Sequence, residues 1–205
     1  MRHAHSSGRG PRKATAATLA SVLALSLSAA PATAQAVTVI GDPGGEACYQ
    51  AARLDNGSRT GLEACDHALD LNALSRRDRA ATHLNRGIIH SARGNLNAAM
   101  ADYLQAREIR PGMPESYVGE GNVRFLMGEF SAALDAYDMA LELGLTSRHA
   151  AHFNRGLTFE QMGRWDDAEA AYGEASAIAP NWDSPRAHIE RVQQRRAAEA
   201  AAQTN

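Results

Sequence analysis

Lysine is almost missing from this sequence. Of its 21 basic residues, 20 are arginine, and the one lysine is Lys13. With 23 acids the formal charge is -2, so the chain as a whole has no drive toward nucleic acid or an anionic membrane. Aromatic residues make up only 5%. Alanine is the dominant apolar residue, which favours close-packed helices over an aromatic-rich β-sandwich. Catalytic motifs are absent too. There is no HExxH, GxSxG, Walker-type loop or CxxC. The GDPGGE stretch at residues 41–46 lacks the Lys-Ser/Thr of a phosphate loop, and no strand precedes it. His83 and His90 lie seven apart and His149 and His152 three apart, but two ligands are too few for a metal site. No enzyme activity, cofactor or metal is expected.

The one long uncharged run lies near the start. Residues 1–13 carry Arg2, Arg9, Arg12 and Lys13 and no acid, and residues 14–30 are uncharged and mildly apolar. Pro31 breaks the run, and Ala34-Gln35-Ala36 offers a small-x-small site. This order is that of a secretory signal peptide cleaved after Ala36. The run is too diluted by Ser, Thr and Ala to be a membrane anchor. Removing residues 1–36 takes away four positive charges and moves the net charge from -2 to -6. What remains has no lysine and no candidate membrane span. Its expected location is periplasmic or secreted. In an oxidising compartment, Cys48 and Cys65, 17 apart, read as a disulfide.

A repeat is present. Gly87, Gly121 and Gly156 step by 34 and then 35 residues. The same steps separate Gly94, Gly128 and Gly163; Ala99, Ala133 and Ala168; Tyr103, Tyr137 and Tyr172; and Ala106, Ala140 and Ala175. The extra residue falls within 143–149, where Gly144 marks a turn. Each unit reads as two helices: 80–93 with 96–110, 115–127 with 130–143, and 150–162 with 165–178. The glycine between them supplies the positive φ of a helix stop. Gly87, Gly121 and Gly156 sit within helices, where glycine costs about 1 kcal/mol against alanine. Close helix approach is the expected reason.

These columns resemble the tetratricopeptide repeat family. The first unit reads Gly87, Gly94, Ala99, Tyr103, Ala106, Pro111, and the third reads Gly156, Gly163, Ala168, Tyr172, Ala175, Pro180. The middle unit keeps Gly121, Gly128, Ala133, Tyr137 and Ala140, with Leu145 in place of the closing proline. His83, Tyr117 and His152 stand at the family's early aromatic position. The resemblance implies an all-α solenoid of helix-turn-helix units, a right-handed superhelical stack whose first helices line a concave groove. The units are expected at 79–113, 114–147 and 148–182. Residues 37–45 read as a loop, and 46–54 with 60–74 as a degenerate first hairpin turned at 55–58 and pinned by Cys48–Cys65. Residues 184–199 read as a polar capping helix, with Ser184 as N-cap and Pro185 in its first turn, within a C-terminal segment 183–205 whose last six residues fray.

By the same resemblance, Asn85 and Asn154 reach the backbone of a bound peptide, with Asn122 one turn along in the middle unit. The alternative is that Asn-Arg-Gly is a packing variant, with Arg86 and Arg155 paired to neighbouring acids. The inward stripe of this register adds Leu84, Ile88, Val118, Phe125, Phe153, Leu157 and Gln161. It marks either a partner site or a surface covered by the chain's own ends. Family members that grip a terminal carboxylate use lysine and arginine, and the missing lysine argues against that mode. The expected role is an exported scaffold binding an unidentified protein or peptide. The alternatives are a self-associating envelope protein and, behind it, a metal-binding protein or enzyme using the histidine pairs. Oligomeric state stays open.

Overall fold

A computed structural model describes residues 35–39, 43–54, 57–70 and 74–203. The expected signal peptide, residues 1–36, lies outside the described residues up to residue 34. Nine helices and no strand occur among the described residues: α1 (Pro43–Arg53), α2 (Arg59–Asp70), α3 (Arg76–Ala92), α4 (Leu96–Ile109), α5 (Pro114–Leu126), α6 (Phe130–Glu142), α7 (Arg148–Gln161), α8 (Trp165–Ile178) and α9 (Ser184–Gln203). They pack as consecutive hairpins, α1 with α2 through α7 with α8, and α9 lies against α8. Helices α1 and α3, α3 and α5, and α5 and α7 also touch. No comparable contact joins α4 to α6 or α6 to α8 among the described residues. The first helices therefore form the closer-packed, inner layer, and the second helices splay outward.

The turns repeat at the level of single hydrogen bonds. Gly94, Gly128 and Gly163 have φ of 74°, 79° and 69°. In each case the next residue's N–H reaches back to a carbonyl five residues earlier: Asn95 to His90, Glu129 to Arg124, Arg164 to Phe159, at 2.8–2.9 Å. This is a Schellman stop, in which left-handed glycine lets the chain satisfy two orphan carbonyls. Gly144 (φ 80°) makes the same stop between units, with Leu145 N bonded to Ala140 O at 3.1 Å. The middle unit thus ends on a glycine stop where its neighbours end on proline. The 35-residue step falls at this stop.

Glycine within the helices has a more specific cause than helix approach. A Cβ on Gly87 would lie 2.8 Å from the Tyr103 ring, one on Gly121 2.5 Å from Tyr137, and one on Gly156 2.5 Å from Tyr172. The glycine and tyrosine columns are two sides of one contact: the ring from the second helix lies flat on the bare backbone of the first. Tyr103 is also pressed from the next unit by Gly119. Ala99, Ala133 and Ala168 are fully buried beside these contacts.

Several boundaries differ from expectation. Helix α3 starts at Arg76, four residues early, because Ser75 caps it: its Oγ accepts from Asp78 N at 3.1 Å. The expected loop 37–45 is cut short, since Pro43, Gly44 and Gly45 belong to α1, with proline at the first position where a missing N–H costs nothing. Ser184 is inside α9 rather than before it; Ala187 N bonds to Asp183 O. Helix α9 also runs on to Gln203. It is tied down by Arg191 to Glu160 (3.0 and 2.7 Å), Gln193 to Glu169 (2.7 Å) and Trp165 Nε1 to Glu199 (2.7 Å). Cys48 and Cys65 are bridged, joining α1 to α2, and both are fully buried.

Candidate functional site

Asn85 lies on the inner helix α3 and is fully buried. Its Oδ1 accepts from Val37 N at 2.9 Å, and its Nδ2 donates to Val37 O at 2.7 Å. One amide side chain thus satisfies both backbone groups of one residue. That geometry requires N–H and C=O to point the same way, as they do in an extended chain. The side chain of Val39 is buried with Leu84 and Ile88 in one core cluster, and Ala36 and Val37 pack against it. Gln35 and Thr38 face solvent.

The other two asparagines behave differently. Asn154 Nδ2 donates to Asn122 Oδ1 at 2.8 Å, and Tyr137 OH donates to the same oxygen at 2.9 Å. They join α5, α6 and α7, all beneath the surface. Farther along, Phe153 is covered by Trp182 (ring centroids 4.7 Å apart), His188 (5.0 Å) and Tyr172 (5.4 Å). Leu84, Ile88, Val118 and Leu157 are buried in the stack. Phe125 is half-buried, tilted against Phe130, and Gln161 is exposed at the end of α7. Residues 36–39 cover one extremity of the inner stripe, and Trp182 and α9 cover the other. Phe125 in the middle unit keeps an accessible part.

The arginines of Asn-Arg-Gly are paired. Arg86 forms a fork on Asp102 (2.9 and 2.8 Å) and reaches Asp66 at 2.7 Å; Arg155 meets Asp138 at 2.9 Å. In the middle unit the polarity reverses: buried Glu120 sits at the arginine position and takes Arg107 (2.7 Å) and Arg124 (2.9 Å). These residues line a recess of about 300 Å³ with Tyr117 and Met139, but both arginines are committed to Glu120. Asp102, Glu120 and Glu160, each set among cations, were not visible as special in the sequence. Their type and spacing match any helical acid, and only the fold brings the arginines to them. No group of three metal-ligating side chains converges among the described residues.

These buried charges set a pH dependence. Burial pushes Asp102 up, but hydrogen bonds from His83 and Arg86 outweigh it and hold the carboxyl below its usual range. Glu160 is likewise opposed by burial yet brought down to about 2 by His188, Arg191 and Tyr172. Burial lowers His90 and His152. A depressed pKa in the folded chain means the unfolded chain binds protons first. The histidine contribution is complete above about pH 6.5 and declines below it; the carboxylate contribution declines from about pH 4 downward. Melting temperature is therefore expected to fall in two steps between pH 7 and pH 2. A flat profile over that range, read by circular dichroism, would contradict these ion-pair assignments.

Hairpins stacked with inner and outer helices, closed by glycine stops and by tyrosine on glycine, define an α-solenoid of repeated hairpins. The tetratricopeptide repeat family matches residues 149–182, which span α7 and α8. Among solved structures, MamA is similar with a TM-score of 0.61 at 23% identity, over 78% of this chain and 87% of that one. YrrB, a TPR protein with an unusual peptide-binding site, gives 0.56 at 22% identity, over 64% and 65%. The first TPR of Spaghetti, bound to an HSP90 peptide, gives 0.56 at 18% identity, over 59% and 95%. Residues 149–182 form a tetratricopeptide repeat, and the chain shares the fold of these repeat solenoids.

Proposed function

We propose that this protein is an exported scaffold whose inner helices hold extended segments of a partner protein, using apolar contacts and asparagine amides. The observation that carries this reading is Asn85: it already satisfies both backbone groups of an extended residue. A buried amide that pairs with N–H and C=O together gives orientation without demanding a particular side chain. Export is supported by the basic, apolar and small-residue order of residues 1–36 and by the Cys48–Cys65 bridge. No helix among the described residues is long and apolar enough to cross a membrane. The peptide-bound neighbour Spaghetti and the peptide-binding site of YrrB support the same kind of partner. No step in this role needs catalysis.

A photo-reactive phenylalanine analogue at Phe125 tests the inner face, with the same analogue at exposed Gln105 on outer α4 as control. In envelope fractions, partner adducts are expected from position 125 and not from 105. Equal yields at both positions would overturn the inner-face reading. Adducts made only between copies of this chain would support the self-associating alternative.

A further inference from the structure

We infer that the inner face of α3 is a binding site for an extended segment, that residues 37–39 are its resident ligand in cis, and that a partner occupies the site by displacing them. The inference rests on the proposed function above and names how that site is controlled.

The segment is held as a ligand is held. Val37 gives both backbone groups to one side chain, Asn85, at 2.9 and 2.7 Å. Val39 is buried, while Thr38 faces water. Val37 and Val39 are two apart, the spacing at which an extended chain presents one face. An extended chain with apolar residues two apart is therefore the ligand class. The clamp reads backbone, so side-chain identity is set only by the apolar surface, which belongs to the cluster containing Leu84 and Ile88.

Exchange is chemically open to this segment. Asn85 holds Val37 through two hydrogen bonds, and each is weak in net terms because water satisfies the same groups on release. Lifting the segment exposes Asn85 to solvent or to an incoming strand, so its amide need not stay unsatisfied. The segment is favoured because it is tethered, which gives it an effective concentration in the millimolar range for a short linker. A free strand of the same sequence must compete against that advantage.

The test uses the exported chain, from Val37 onward, and a labelled peptide of residues 37–41. Val39→Asp puts a charge into the apolar cluster and so lifts the segment while leaving Asn85 untouched. Fluorescence anisotropy is expected to show the peptide binding this variant at least tenfold more tightly than the unaltered chain. Adding Asn85→Ala should abolish that gain. If Asn85→Ala does not fold, Asn85→Asp, which keeps the shape but cannot donate to Val37 O, takes its place. Equal peptide affinity for both chains would overturn the inference. A gain seen only at concentrations where the unaltered chain is a dimer would place the segment in a second copy and overturn residence in cis. If these arms fail while the position-125 adducts persist, the inner-face reading stands alone; if both fail, both are lost.

Discussion

Gly156→Ala is expected to destabilise the protein by about 1–3 kcal/mol, the range of an overpacked core. On propensity alone the change should help, since alanine is favoured over glycine in a helix by about 1 kcal/mol. The contact decides the sign. The new Cβ would stand 2.5 Å from two carbons of the Tyr172 ring. That ring cannot swing away: it is fully buried, touches Phe153 and His188, and its hydroxyl donates to Glu160 at 2.8 Å. Backbone or ring must shift, and the α7–α8 hairpin loosens with it. Gly173→Ala is the matched control. It also lies within a helix, α8, but nothing stands within 4 Å of its added Cβ. There the propensity term is unopposed, and a gain of up to about 1 kcal/mol is expected. Denaturant unfolding of the two variants should move the midpoint in opposite directions. A stabilised Gly156→Ala would show that the tyrosine ring is not held as described.

Reducing Cys48–Cys65 is expected to cost about 3 kcal/mol, the loop-closure value for a ring of this size. The loss should be local. Helices α1 and α2 have 11 and 12 residues, too short to persist in water without packing. In a stack where each hairpin meets only its neighbours, one end opens without the rest. Residues 37–39 lead into α1, so their hold on Asn85 should weaken at the same time. With complete reduction, a fall of about 6–12 °C in melting temperature follows from the size of the chain. Hydrogen exchange should show that fall concentrated before α3. An unchanged melting temperature after verified reduction, or two free thiols in protein from an oxidising compartment, would set this prediction aside.

The five repeat columns were legible because each answers to a local or near-local rule. Gly94, Gly128 and Gly163 are required by the left-handed stop, and Ala99, Ala133 and Ala168 by helix crossing. Even the missing proline of the middle unit was visible as Gly144. The start of α3 was not, because its cap, Ser75 with Asp78, lies outside the repeated columns. Proline in GDPGG suggested a loop, yet at the first position of α1 it begins a helix.

The inner face was legible only as a stripe. Sequence register placed Asn85, Asn122 and Asn154 on the inner helices and treated them as one kind of residue. Tertiary structure separates them. Asn85 meets a segment 48 residues away in the chain, while Asn122 accepts from both Asn154 and Tyr137. The same holds for Arg86 and Arg155, whose acid partners come from other helices. Periodicity, glycine stops, small residues at crossings and the spacing of two cysteines are written along the chain, because each depends on neighbours within one hairpin. Which asparagine meets an extended segment, which carboxylate is buried and which segment covers the inner helices depend on distances between segments far apart in sequence. Those distances exist only once the hairpins have stacked.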